Sequence, residues 1–178
     1  MLYAFGFERY SVVVGDLYHI DPNPGKGQEG PERGVRLELR VLGRLELRGS
    51  IYSAQPIGVE EPVWRADLLE SVAGPPGSFD RTHHHPAFRG WEPGKRVFVR
   101  ELSADPLGWL GGQLSDLEGL LKQAGAEPHE ADTADAESLR AHVPEILDAV
   151  RRLLGEAQAV WAAAPEGELP TMARIGWL

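Results

Sequence analysis

Three consecutive histidines, residues 83–85, lie in the segment DRTHHHPAFRGWEPG, which spans residues 80–94. Imidazole nitrogens bind transition metals, and their proton affinity near neutral pH also suits general acid–base catalysis. Arginines on both sides of the histidines, Arg81 and Arg89, add groups that bind phosphate or carboxylate oxygens. The residue types of this segment therefore suit catalysis or ligand binding better than those of any other stretch of the sequence.

Strand periodicity decides which of these side chains can act together. If residues 79–85 are extended, Arg81, His83 and His85 lie on one face, because alternate side chains of a strand point the same way. His84 then lies on the opposite face. The three histidines cannot all contribute to one site.

A second polar pair is predicted on a neighbouring strand, residues 62–70. Arg65 and Asp67 alternate there with the apolar residues Trp64, Ala66 and Leu68. If the register allows, one polar face gathers two imidazoles, two guanidiniums and a carboxylate. This face is made of Arg65, Asp67, Arg81, His83 and His85.

Metal binding is the first chemistry that such a face allows. His83 and His85 are one pleat repeat apart, a spacing with which strands hold zinc or iron. A third ligand would come from Asp67, Glu92 or His19. The sequence is equally consistent with a divalent metal and with no cofactor.

Metal-free binding of a small anion is the second chemistry. A histidine would act as general acid or base, a carboxylate would orient it, and arginines would hold a phosphate or carboxylate group. A tryptophan close behind could form the floor of the pocket and stack a base or sugar. A hydrolytic reaction is the corresponding activity. The catalytic candidates are His83, His85 and Asp67, and the ligand-binding candidates are Arg65, Arg81 and Trp91.

A non-catalytic role is the third interpretation. A polar strand that ends in a proline turn needs no ligand at all. The acidic stretch at residues 127–137 then favours an interaction module, similar to an immunity protein or an antitoxin, that binds a protein partner. Whether the chain is an enzyme stays open at this point.

Composition narrows the class of protein. The 178 residues, 42% hydrophobic and 25% charged, are typical of one globular domain with a substantial core. The formal net charge of -9 argues against broad nucleic-acid binding, because a duplex binder presents clustered Lys and Arg to the phosphates. We expect no membrane span, since no apolar run approaches the ~20 residues required. The absence of cysteine excludes thiolate ligands, and the N-terminus lacks signal-peptide features, so we expect a cytoplasmic protein.

Alternating residues predict an antiparallel sheet in the first part of the chain. Apolar and charged side chains alternate over residues 35–41 and again over residues 44–52, on either side of a predicted turn at Leu42-Gly43. This pattern predicts a hairpin with one solvated face. Further strands are predicted at residues 62–70, 78–85 and 95–102, for a total of about five to seven.

Helical periodicity begins after residue 102. Asp105 followed by Pro106 is typical of a helix start, and Gly125 is expected to end that helix. A second helical stretch begins near Asp132, and we expect Pro144 to divide it.

These elements predict a single α+β domain over residues 1–178. A β-rich part, residues 1–102, forms an antiparallel sheet that packs against the helices of residues 103–164, and an irregular tail follows at residues 165–178. The leading functional prediction is a histidine- and arginine-rich site on the sheet that binds a small anionic ligand.

Overall fold

A five-stranded antiparallel sheet is the centre of the fold, and each strand pairs with its neighbours in the sequence. The computed structural model describes residues 1–162, with side chains as far as Glu156. The predicted tail at residues 165–178 lies outside the described residues. The sheet strands are β1 (Leu2–Gly6), β2 (Tyr10–Ile20), β3 (Pro31–Arg44), β4 (Ile57–Ser71) and β5 (His83–His85).

Two further strands form a small ribbon beyond the sheet, and four helices follow. The ribbon strands are β6 (Phe88–Arg89) and β7 (Glu92–Pro93). The helices are α1 (Arg100–Ala104), α2 (Pro106–Ser115), α3 (Leu117–Ala124) and α4 (Asp132–Ala162). The prediction of an α+β fold, with an N-terminal antiparallel sheet packed against C-terminal helices, is confirmed.

One face of the sheet forms the core with the helices. Alternate residues of the three central strands are fully buried there, because each strand sends every second side chain to the same face. The sheet contributes Val12, Val14, Val35, Leu37, Leu39, Trp64, Ala66 and Leu68, and the helices contribute Leu110, Leu114, Leu139, Ile146 and Val150.

The predicted hairpin at Leu42-Gly43 is wrong. β3 continues through Gly43 to Arg44, and its partner is β4 rather than residues 44–52. Leu45, Leu47 and Ile51 are exposed in the connection between the two strands. The alternation of residues 44–52 imitates a strand, but β4 offers a longer pairing that buries Trp64 and its neighbours, and that burial decides the register.

The strand predicted at residues 62–70 lies within the longer β4, whereas two other predicted strands are shortened. Only residues 83–85 of the predicted strand 78–85 pair with β4, because the preceding residues form a turn in which Phe79 and Gly77 have positive φ angles of 48° and 79°. The predicted strand 95–102 is reduced to one bridge. Val97 exchanges two backbone hydrogen bonds with His84 before the chain enters α1.

Helix ends follow the predicted signals, with two differences. The Asp105 side chain accepts a hydrogen bond from the Gly108 N–H, and Gly125 ends α3 in the left-handed conformation. Asp116 starts a new helix with its own cap, so the predicted single helix is two. Pro144 does not divide α4, because burial of the surrounding apolar residues against the sheet outweighs the backbone hydrogen bond that proline removes.

Part of the acidic stretch at residues 127–137 serves the fold itself. The buried Asp135 carboxylate accepts hydrogen bonds from the backbone N–H groups of residues 8–10, at 2.8–2.9 Å. Asp132 forms an ion pair with Arg9 at 2.9 Å. These contacts attach the start of α4 to the turn between β1 and β2.

Within residues 1–162, the described part of the chain, no helix combines the length and the apolar character needed to cross a bilayer.

Position 34 requires a glycine because the backbones of β3 and β4 approach each other closely there. Its φ angle is 150°, and a Cβ atom added there would lie 1.9 Å from the Leu68 carbonyl oxygen. We expect Gly34→Ala to lower the free energy of unfolding by more than about 2 kcal/mol, because backbone atoms must move. Gly112→Ala is the control. Gly112 lies in open space on α2, and the substitution should stabilise the protein by about 0.5–1 kcal/mol. Denaturant unfolding of both variants measures the difference, and equal effects would contradict the steric explanation.

Candidate metal centre

The register between β4 and β5 brings four polar side chains together. Arg65 lies opposite His85, and Asp67 lies opposite His83. Directly paired residues of antiparallel strands share a face, so these four side chains lie on the sheet face that points away from the helices. His84 lies on the other face, where its ring centroid is 5.1 Å from that of Trp109.

The cluster is buried. The exposed fractions are 1% for Asp67 and 3% for each of His83 and His85. The chain that follows β5 covers them, with the Phe98 ring 5.4 Å from that of His83 and the Phe88 ring 6.3 Å from that of His85. The expectation of a solvated charged face on this sheet is therefore wrong, since Glu38 on β3 is also only 4% exposed.

Backbone carbonyls orient both imidazoles. His83 Nδ1 lies 2.8 Å from the Arg81 carbonyl oxygen, and His85 Nδ1 lies 2.8 Å from the Gly94 carbonyl oxygen. A carbonyl can only accept, so each Nδ1 carries a proton and donates it. In the neutral ring the Nε2 atom then has a free lone pair, and both Nε2 atoms point to Asp67. Histidines that bind metals are oriented in this way.

The separations of the three ligand atoms suit a metal ion. The Asp67 Oδ2 atom lies 3.4 Å from His83 Nε2 and 3.7 Å from His85 Nε2. These distances are long for hydrogen bonds and close to the about 3.4 Å edge of a tetrahedron with metal–ligand bonds of 2.0–2.1 Å. One ligand atom from each residue lies within 4.8 Å of the others. The buried His/Asp cluster can thus bind a metal ion.

Two arginines stabilise the Asp67 carboxylate. Arg36 donates to both oxygens, at 2.7 and 3.4 Å, and Arg65 Nε lies 3.0 Å from Oδ2. Burial by itself would raise the pKa of Asp67. The positive charge of Arg36, a hydrogen bond that His83 donates when its Nε2 carries a proton, and the charge of Arg65 together outweigh burial and hold this pKa well below its usual range. Asp67 is therefore an anion at neutral pH.

His85 is neutral under the same conditions. Burial, helped by the positive charge of Arg65, lowers the pKa of His85 to about 4. The free Nε2 lone pair accepts a hydrogen bond from an Arg65 N–H at 2.8 Å. A guanidinium thus lies against one of the atoms that a metal would use.

β3 contributes charged groups that the sequence did not assign to the site. Arg36 contacts Asp67, and Arg40 donates to Glu38 at 2.7 Å, while Arg65 lies 3.9 Å from the same carboxylate. Arg36, Glu38 and Arg40 are alternate residues of β3, and that alternation was the signal from which the sequence could have placed them on one face. The predicted hairpin paired them with residues 44–52, so their link to β4 was missed.

The remaining predicted residues lie at the edge of the cluster or away from it. Arg81 donates to the Gly27 carbonyl oxygen, and Trp91 is 60% exposed with the Arg40 guanidinium 5.0 Å above its ring. Glu92 is exposed on β7, and His19 lies on β2. Asp67, and neither Glu92 nor His19, completes the group with His83 and His85.

Acid should weaken the fold through Asp67. A carboxyl whose folded-state pKa is lowered stabilises the fold at pH values above its unfolded pKa of about 3.9, and this stabilisation is lost as the pH falls further. Asp67→Asn should cost about 3–5 kcal/mol at pH 7, because it leaves Arg36 and Arg65 without their counter-ion. Below about pH 4 the difference from wild type should shrink by about 1.4 kcal/mol per pH unit.

Urea unfolding at several pH values measures this dependence. Asp148→Asn is the control, because Asp148 is an exposed carboxylate on α4. A difference between wild type and Asp67→Asn that stayed constant from pH 5 to pH 2 would contradict the assignment.

Comparisons with known proteins do not add to this geometry. No family model, no curated protein and no solved structure matches the chain.

Proposed function

We propose that the protein binds a divalent transition metal, such as zinc or iron, through Asp67, His83 and His85, and that the metal site takes a small anionic ligand. The observation that carries the proposal is the convergence of two imidazole Nε2 atoms on one carboxylate oxygen, with both Nδ1 atoms engaged by backbone carbonyls. Two histidines and a carboxylate form a common ligand set for zinc and non-haem iron.

The arrangement of His83 and Asp67 favours a cation at this place. His83 Nε2 and Asp67 Oδ2 face each other at 3.4 Å, and in the neutral ring both atoms carry lone pairs. Such atoms repel unless a proton or a cation lies between them. The low exposure of the cluster increases this repulsion, because little water is present to screen it.

The charges around the cluster favour the binding of an anionic ligand. Among ion pairs of 4.0 Å or less in this cluster, three guanidiniums, those of Arg36, Arg40 and Arg65, contact two carboxylates, those of Glu38 and Asp67. The excess positive charge favours a phosphate or carboxylate group. A metal held by Asp67, His83 and His85 would keep a position open for water and would supply Lewis-acid activation for hydrolysis.

A metal-free site for the same anion is the second candidate. It is favoured by the Arg65 N–H that lies 2.8 Å from His85 Nε2, because a positive group already meets that lone pair. In this alternative His83 or His85 acts as acid or base, and the arginines hold the ligand. Metal content distinguishes the two candidates.

Elemental analysis of untagged protein, after saturation with zinc or iron(II) and dialysis, is the test. We expect nearly one metal per chain in the wild type and loss of the metal in His83→Gln/His85→Gln, since Asp67 alone cannot hold it. His84→Gln is the matched control, because His84 is the adjacent histidine on the opposite sheet face. It should retain the metal.

Two outcomes would contradict the metal centre. One is a wild-type protein that binds no metal, and the other is a double variant that keeps it. Circular dichroism of each variant establishes that the fold is intact. A metal-free wild type that binds inorganic phosphate in calorimetry would support the second candidate instead.

A further inference from the structure

Arg65 is the side chain that conflicts with a metal at this site. Its N–H donates to His85 Nε2 at 2.8 Å, and its Nε lies 3.0 Å from Asp67 Oδ2. These are two of the three atoms that would bind the metal. A lone pair that accepts from a guanidinium cannot also bind a metal ion, so Arg65 and the metal exclude each other in the observed conformation.

The Arg65 guanidinium has few other partners within reach in the fold. The nearest other carboxylate is Glu38, 3.9 Å away, but Glu38 already accepts a hydrogen bond from Arg40 at 2.7 Å. Phe88 offers a cation–π contact at 5.7 Å. The Arg65 side chain is only 12% exposed, so water can replace its lost partners only in part.

If a metal displaced Arg65 from His85 and Asp67, the guanidinium would be in an electrostatically unfavourable position. A divalent ion beside Arg65 would add two positive charges where, within 4.0 Å, three guanidiniums already contact only two carboxylates. Repulsion between such charges is strong in a poorly hydrated site, and a buried charge without a counter-ion is strongly unfavourable. An anion that contacts both the metal and Arg65 removes both problems.

We infer that metal and phosphate bind to this site as a linked pair, with Arg65 as the residue that couples them. The inference rests on the proposed function and adds its ligand class, a phosphate group, and its specificity-determining residue. With phosphate present, Arg65 turns from His85 and Asp67 to the phosphate oxygens, which suit the fork of a guanidinium. The metal then has free access to all three protein ligands. Without phosphate, Arg65 competes with the metal.

Coupling between the metal and phosphate can be measured as a change in binding affinity. If phosphate raises the affinity for the metal, the metal must raise the affinity for phosphate by the same factor. We expect about a tenfold or larger decrease of the zinc Kd of the wild type when inorganic phosphate is present, within the usual range of coupling between sites. The zinc Kd is measured by competition with a chromophoric chelator, which keeps free zinc too low for zinc phosphate to precipitate.

Arg65→Gln separates coupling from other effects of phosphate. The variant removes the competing charge, so we expect it to bind zinc more tightly than the wild type when phosphate is absent. We also expect its zinc Kd to be unchanged by phosphate. Arg151→Gln is the matched control, because Arg151 is an exposed arginine on α4, and it should retain the wild-type response to phosphate.

The outcomes are distinguishable. Wild-type protein that binds zinc with the same Kd in the presence and absence of phosphate overturns the linkage and leaves the metal centre intact. A phosphate effect that persists in Arg65→Gln overturns the role of Arg65. Wild-type protein that binds no zinc in either buffer overturns the proposed metal centre as well. The wild-type titration decides the linkage even if the Arg65 variant does not fold.

Discussion

The ion pair between Asp67 and Arg36 is the interaction on which the polar side of the molecule depends. It joins β3 to β4 where both strands are central to the sheet, and Asp67 is 1% exposed. A charge at such a position is tolerated only when it is paired and hydrogen-bonded. Arg36, Arg65 and His83 all contact this one carboxylate, so the positions of the site residues are coupled to each other.

A sheet with one apolar and one charged face would ordinarily leave the charged face in water. Here the chain after β5 crosses that face and covers it. Gly94 binds His85 through its carbonyl, Phe98 packs on His83, and Arg96 forms an ion pair with Asp21 at 2.9 Å. The cover has two consequences. It fixes the orientation of both imidazoles, and it lowers the local polarity, so that each charge in the cluster has a larger effect on the others.

The two faces of the sheet therefore differ in character. The helices bury the apolar face and stabilise the fold, with Asp135 attaching α4 to the β1–β2 turn. The opposite face carries a cluster that a purely structural sheet could replace with apolar side chains at lower electrostatic cost. Buried, mutually oriented ionisable groups of this kind are characteristic of functional sites. This is the physical reason why we place the proposed function on the polar face.

The sequence alone determined the class of fold and many of the residues of the candidate site. Alternation along residues 62–70 and 79–85 predicted one shared face for Arg65, Asp67, Arg81, His83 and His85, because the pleat of a strand is a local property. All of these except Arg81 meet in the cluster. Tertiary structure decided the rest. The partner of β3 depended on which long-range pairing buries more apolar surface, and local alternation led to the wrong hairpin. The register between β4 and β5 decided that Asp67, rather than Glu92 or His19, lies with the two histidines. The burial of the charged face depended on a loop that crosses it. The conflict between Arg65 and a metal depended on the distance between Arg65 and His85, which are twenty positions apart in the sequence. None of these is a local property of the chain, so only the folded structure could establish them.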